Sequence, residues 1–126
     1  MTLAYTYDVE YRALPDAQHR VFSPDDAVAF AFEVADEYSI GLERVSWTAP
    51  GKTNCAMARR GEILLPENDF GCNIVTILHE LAHVALPGDM THGDAWFRWF
   101  AFLVRKEIGV MAEASLWWEI KQTSDK

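Results

Sequence analysis

The chain has 126 residues, half of them apolar and 13% aromatic, which is enough to build one domain with a real core and excludes disorder except at the ends. A formal net charge of −8 argues against a surface that grips nucleic acid, where a basic face is expected. Two cysteines, Cys55 and Cys72, are too few for a disulfide scaffold or a four-cysteine zinc ribbon, and read as reduced, partly buried thiols.

No charged-then-apolar leader opens the sequence, and its most apolar run, Trp96 to Val104, contains Arg98 and falls far short of the roughly 20 residues of a membrane span. The expectation is a single cytoplasmic domain over residues 1–126 with no membrane partner. Leu3, Tyr5, Tyr7, Val9 and Tyr11 alternate with mostly polar residues, a period of two that predicts a half-buried N-terminal strand. With the Pro15-Asp16 loop it makes an N-terminal strand-and-loop segment over 1–22, and His19 is a solvated loop residue.

Ser23-Pro24-Asp25-Asp26 predicts a helix start, with Ser23 as cap, proline in the first turn and two acidic side chains on the helix dipole. Val28, Ala31, Ala35 and Tyr38 continue it at helical spacing, Phe30 and Phe32 read as core packing, and Gly41 is the natural stop. Leu42 to Ala49 alternates again and predicts a strand ended by Pro50-Gly51. Cys55–Ala58 and Glu62–Leu65 predict a hairpin with Arg59-Arg60-Gly61 at its tip, where the arginines are solvated or contact a substrate.

The next helix starts near Cys72 or Asn73, with Asn68, Asp69 and Gly71 also plausible near its start. Its apolar face is Ile74, Ile77, Leu78, Leu81 and Ala85, and Pro87-Gly88 ends it. Gly93 to Ile108 predicts an aromatic helix, apolar nearly all round and hence central, with Gly109 as its stop. A last helix runs from about Met111 to Gln122, before a frayed tail over 123–126. The fold class is α+β: a small mixed or antiparallel sheet of three to four strands, packed against the histidine-bearing helix and two to three further helices.

Three of the four histidines fall between positions 79 and 92. In His79-Glu80-Leu81-Ala82-His83 the two imidazoles are spaced i, i+4 and leave one helix face, so both can bind one ion. Glu80 stands beside them, where a carboxylate can act as general base on a metal-bound water without ligating the metal. A hydrolytic zinc site needs a third protein ligand. His92, brought back by the Pro87-Gly88 reversal, leads; Asp89 is the runner-up, and Asp94 and Glu113 are weaker. The residues predict one catalytic Zn2+ and a zinc-dependent metallohydrolase. The alternative is a catalytically silent, zinc-stabilised interaction module.

The HExxH pentapeptide followed by His92-Gly93-Asp94-Ala95-Trp96 resembles the SprT-like group of zincin metallopeptidases, in which a His-Gly-x-x-aromatic motif supplies the third ligand. It also resembles small bacterial and phage metallohydrolases. The resemblance covers residues 23–108 in layout and 79–97 by motif. It implies a minimal zincin-like fold, with His79, His83 and His92 on zinc, Glu80 as the catalytic base, and a peptide or protein as substrate. It further implies that the Glu62–Leu65 strand is the sheet edge above the cleft, so that Glu62, Ile63 and Leu64, with Arg60 beside them, contact an added peptide strand. Asp89 lies where metzincin-like sites place their third ligand, but Leu86 stands where those sites have a glycine. The missing zinc ribbon and the acidic charge set this chain apart from SprT-like proteases acting on DNA-linked proteins. Tyr38, His19 and Arg60 are the candidates for stabilising an oxyanion.

Overall fold

In the computed structural model, which describes residues 7–48, 55–88 and 91–124, the elements in chain order are helices α1 (Tyr7–Ala13) and α2 (Pro24–Glu37), strands β1 (Arg44–Trp47), β2 (Met57–Arg59) and β3 (Glu62–Leu65), and helices α3 (Ile74–Val84), α4 (Asp94–Glu107) and α5 (Val110–Ser124). A 3-10 turn, Ala17–His19, joins α1 to α2. The fold is α+β, with a three-stranded mixed sheet and four helices besides α3. None of these helices is long and apolar enough to cross a membrane.

The N-terminal strand is corrected to a helix over its described part; Leu3 and Tyr5 lie outside the described residues. Val9, Glu10, Ala13, Leu14 and Ala17 are all buried, a stripe with helical rather than two-residue spacing. The alternating tyrosines hid it, and Tyr11 is about half exposed. Helix α1 packs on α5, where Arg12 Nε meets Glu119 Oε2 at 2.9 Å.

Helix α2 starts as its sequence predicts, with Ser23 Oγ accepting the Asp26 N–H at 3.2 Å. Ala27, Ala31, Val34 and Ala35 face inward, and Phe30 stacks on Phe22, while Phe32 stands on the outer face. The helix ends before Gly41. Ser39 takes the left-handed conformation (φ 56°), and the Ile40 N–H closes on the Ala35 carbonyl at 2.8 Å. This is the closure of a Schellman motif, sealed by the buried Ile40 side chain.

The sheet order is β1-β3-β2, with β1 parallel and β2 antiparallel to β3. The hairpin forms, but its tip is Arg60-Gly61, with Gly61 at φ 74°; Arg59, expected at the tip, is the last residue of β2 and pairs with Glu62. Strand β3 is central, which corrects the expectation that Glu62–Leu65 is the edge. Val45 pairs with Ile63 on one side and Ala58 pairs with Ile63 on the other. The edge nearest α3 is β2, which has no partner on its outer side among the described residues. Ile63 and Leu65 point into the core; Glu62 points away from it and is held by Ser46 Oγ at 2.6 Å and Arg44 Nε at 3.3 Å.

All of α3 is buried, so this helix, and not α4, is the central one. It packs against α2, α4, β2 and β3. Asn73 caps it: its Oδ1 accepts the Val75 N–H at 2.7 Å while its Nδ2 donates to the Gln18 carbonyl at 2.6 Å. The turn leading in depends on Gly71, where a Cβ would stand 1.8 Å from the Pro66 carbonyl oxygen. Helix α4 buries Trp96, Phe97, Phe100, Leu103 and Val104. Its other face carries Arg98, Arg105 and Lys106 in solvent, and Phe102 there is partly covered by the Tyr38, Trp99 and Lys106 side chains.

Candidate metal centre

His79, Glu80 and His83 project from the middle of α3, and their side chains are almost wholly buried. His92 reaches them from the segment just before α4. Gly93, in an extended conformation at the N-cap, turns the chain so that the helix leads away while the preceding imidazole points back. The Nε2 atoms of His79 and His92 are 3.0 Å apart, and those of His83 and His92 are 3.1 Å apart. The ligand atoms of all three lie within 4.8 Å of one another, so the three imidazoles can hold one metal ion. Zinc–nitrogen bonds of about 2.0–2.1 Å at tetrahedral angles separate two ligating nitrogens by about 3.3 Å, close to the two separations measured from His92.

The donor atoms are also prepared chemically. Glu10 of α1, itself buried, places Oε2 2.6 Å from Nδ1 of His79. A carboxylate only accepts, so Nδ1 carries a proton, and Nε2 is the ring atom left to face the other two rings and to ligate once it gives up its own proton. Burial alone would lower the pKa of His79, but the charge and hydrogen bond of Glu10, with Glu80, hold it above its ordinary value. His92 is pushed down to about 4 by burial and by the charge of His79, so its ring stays neutral and able to ligate. Burial pushes Glu10 up, against the pull of His79.

Glu80 lies beside the donors without joining them: its Oε2 is 3.8 Å from Nε2 of His79. Burial raises its carboxyl to about 7, with His79 opposing and Glu10 adding to the shift. A cavity of about 170 Å³ opens onto the cluster, lined by the three histidines, Glu80 and Ala56, Met57 and Ala58 of the β2 segment. That is room for a few water molecules or one small reacting group.

The wall behind the histidines is aromatic. Trp96 packs within 4.7 Å of the His79 and His92 rings and stacks on His83 at 5.2 Å, and Phe100 stacks on its far face at 5.1 Å.

Several expected participants lie elsewhere. Tyr38 and Arg60 line a separate cavity of about 720 Å³ with Trp99 and Val84, and Tyr38 donates to Glu107 Oε2 at 3.1 Å. His19 is exposed on its 3-10 turn. None of these three lines the histidine cavity, so none stands where an oxyanion would form there. Glu62, Ile63 and Leu64 belong to the central strand, and the strand that borders the cavity is β2. Asp94 is exposed in the first turn of α4, and Glu113 contacts Arg105 and Trp117. Asp89 lies outside the described residues. The residue the sequence reading missed is Glu10. The signal was the stripe Val9, Glu10, Ala13, Leu14, whose helical spacing puts that carboxylate on the buried face.

Comparison of the chain with protein-family models, with curated proteins and with solved structures finds no match.

Proposed function

We propose that the protein is a zinc-dependent metallohydrolase, in particular a peptidase of SprT-like zincin kind, with Glu80 as its general base. The observation that carries this reading is a buried carboxylate 3.8 Å from a ligand nitrogen, in the same cavity as three convergent imidazoles. His79, His83 and His92 are the residues that would hold the ion. When bound, zinc supplies Lewis acidity toward a water and toward the carbonyl oxygen of the substrate. Glu80 is placed to take the proton of the attacking water and to pass it to the leaving nitrogen. Glu10 and Trp96 hold the rings in place.

A peptide substrate is favoured by the strand at the cavity wall. Backbone groups on the outer side of β2 can pair with an extended chain, which would run past the histidines with a carbonyl beside Glu80. The test is turnover of a peptide library by zinc-loaded protein and by Glu80→Gln. The variant retains one zinc per chain and loses about 100-fold or more in rate. Equal turnover by the variant overturns Glu80 as the base.

One observation favours a second reading, a zinc-stabilised module without catalysis: His79, Glu80 and His83 are only 1%, 3% and 6% exposed. A closed site would take its fourth ligand from a protein side chain and unfold when the metal is chelated. An exchangeable fourth position distinguishes the enzyme.

A further inference from the structure

We infer that Glu10 is a positioning residue of the metal centre, and that docking of α1 is thermodynamically coupled to occupancy of that centre; this rests on the metal-binding reading above. Over the described residues helix α1 spans seven positions, a length at which a helix depends on what it packs against. Val9 and Ala13 anchor it through apolar burial, and Arg12 pairs with Glu119 at its exposed side. Glu10 is different in kind. It is a carboxylate only 4% exposed, on the buried side of α1, and it reaches across 69 positions of sequence to an imidazole that is 1% exposed. A carboxylate at that depth persists only with a strong partner, and the partner is His79 Nδ1 at 2.6 Å.

That contact has two consequences. It selects the tautomer of His79 and fixes the plane of its ring, so that Nε2 points at Nε2 of His92, 3.0 Å away. It also transmits charge. A cation on Nε2 draws electron density from the ring and strengthens the Nδ1–H bond to the carboxylate, so the ion favours the conformation in which α1 is docked. Coupling of this kind is reciprocal: whatever factor α1 docking contributes to metal affinity, metal contributes equally to α1 docking.

The experiment measures zinc affinity by competition with a chromophoric chelator for wild type, Glu10→Gln and Glu10→Ala, together with hydrogen exchange of the α1 amides with and without zinc. The expected result is a loss of about 10- to 100-fold in affinity for Glu10→Ala, and a smaller loss for Glu10→Gln, whose amide oxygen can still accept from Nδ1. Zinc slows α1 exchange in wild type and does so less in Glu10→Gln. A purely structural Glu10 would lower stability equally with and without zinc and leave this zinc-dependent protection intact. If Glu10→Ala does not fold, Glu10→Gln alone decides. Zinc binding by wild type with affinities unchanged within about twofold in the folded variants overturns the coupling alone. A wild-type protein that binds no zinc overturns the metal centre and this inference with it.

Discussion

Trp96 donates its indole N–H to the carbonyl oxygen of His79 at 3.2 Å, tying the first turn of α4 to the middle of α3. His92 precedes this tryptophan by four residues, so the bond also holds the segment that carries the third imidazole. Trp96→Phe keeps most of the packing and removes the donor. We expect about 1 kcal/mol of lost stability, because the His79 carbonyl retains its bond within the helix. Trp96→Ala, which empties the wall against His83 and Phe100, costs about 3–5 kcal/mol. Urea unfolding of the metal-free protein gives both values, and equal losses for the two variants would contradict the packing role of the ring.

Protonation in the metal-free site has a definite sign for each group. His92 is pushed from 6.5 down to about 4, so its contribution to stability is present above 6.5 and is lost as the pH falls toward 4. Glu80 is raised from 4.5 to about 7, so its contribution is complete below 4.5 and is lost as the pH rises through 7. The two trends oppose each other over the range they share, which makes a residue-specific readout necessary. An NMR titration of metal-free protein, read at the ring nitrogens, should show no imidazolium form of His92 between about pH 8 and about pH 5.5. A His92 midpoint near the ordinary histidine value would mean that the ring is solvated.

Ser39 bears the left-handed turn that ends α2, a conformation costing roughly 1–2 kcal/mol for a residue with a Cβ. Ser39→Gly should therefore stabilise the protein by up to about 1 kcal/mol, the rest being offset by the greater freedom of glycine in the unfolded chain. Thermal unfolding checks this as a rise of a few degrees in Tm. A fall in Tm would show that the Ser39 side chain contributes more than its backbone costs.

Asn73 joins the start of α3 to the turn after α1, and its two functions can be separated. Asn73→Ala removes the cap on Val75 and strands the Gln18 carbonyl, for an expected loss of about 2–3 kcal/mol. Asn73→Asp keeps the acceptor and should recover only the capping share. Denaturant midpoints of the two variants test this, and a full recovery by aspartate would remove the role of the Gln18 contact.

Where local chemistry dictates structure, the sequence was legible. Ser23 before Pro24, the turn at Gly61, the i, i+4 histidines and the aromatic run after Gly93 each state a short-range rule, and each element formed. The N-terminal segment was misread because Tyr5, Tyr7, Val9 and Tyr11 satisfy a strand period while Val9, Ala13, Leu14 and Ala17 satisfy a helical one. Docking on α5 decides between them for Tyr7–Ala13. Gly41 drew attention from Ser39 because glycine is the commonest left-handed residue, yet the buried Ile40 sets where the chain must turn. The central place of β3 follows from its parallel pairing with β1, a contact between distant segments that no local pattern announces. Glu10 went unrecognised for the same reason, since its partner is 69 positions away.

The most direct test of the central claim is zinc K-edge X-ray absorption on protein loaded with one equivalent of zinc, comparing wild type with His92→Ala. Convergence of the three Nε2 atoms predicts three imidazole scatterers and one light-atom position at about 2.0–2.1 Å, with one imidazole fewer in the variant. Zinc bound without three imidazoles, or a spectrum unchanged by His92→Ala, would contradict the site.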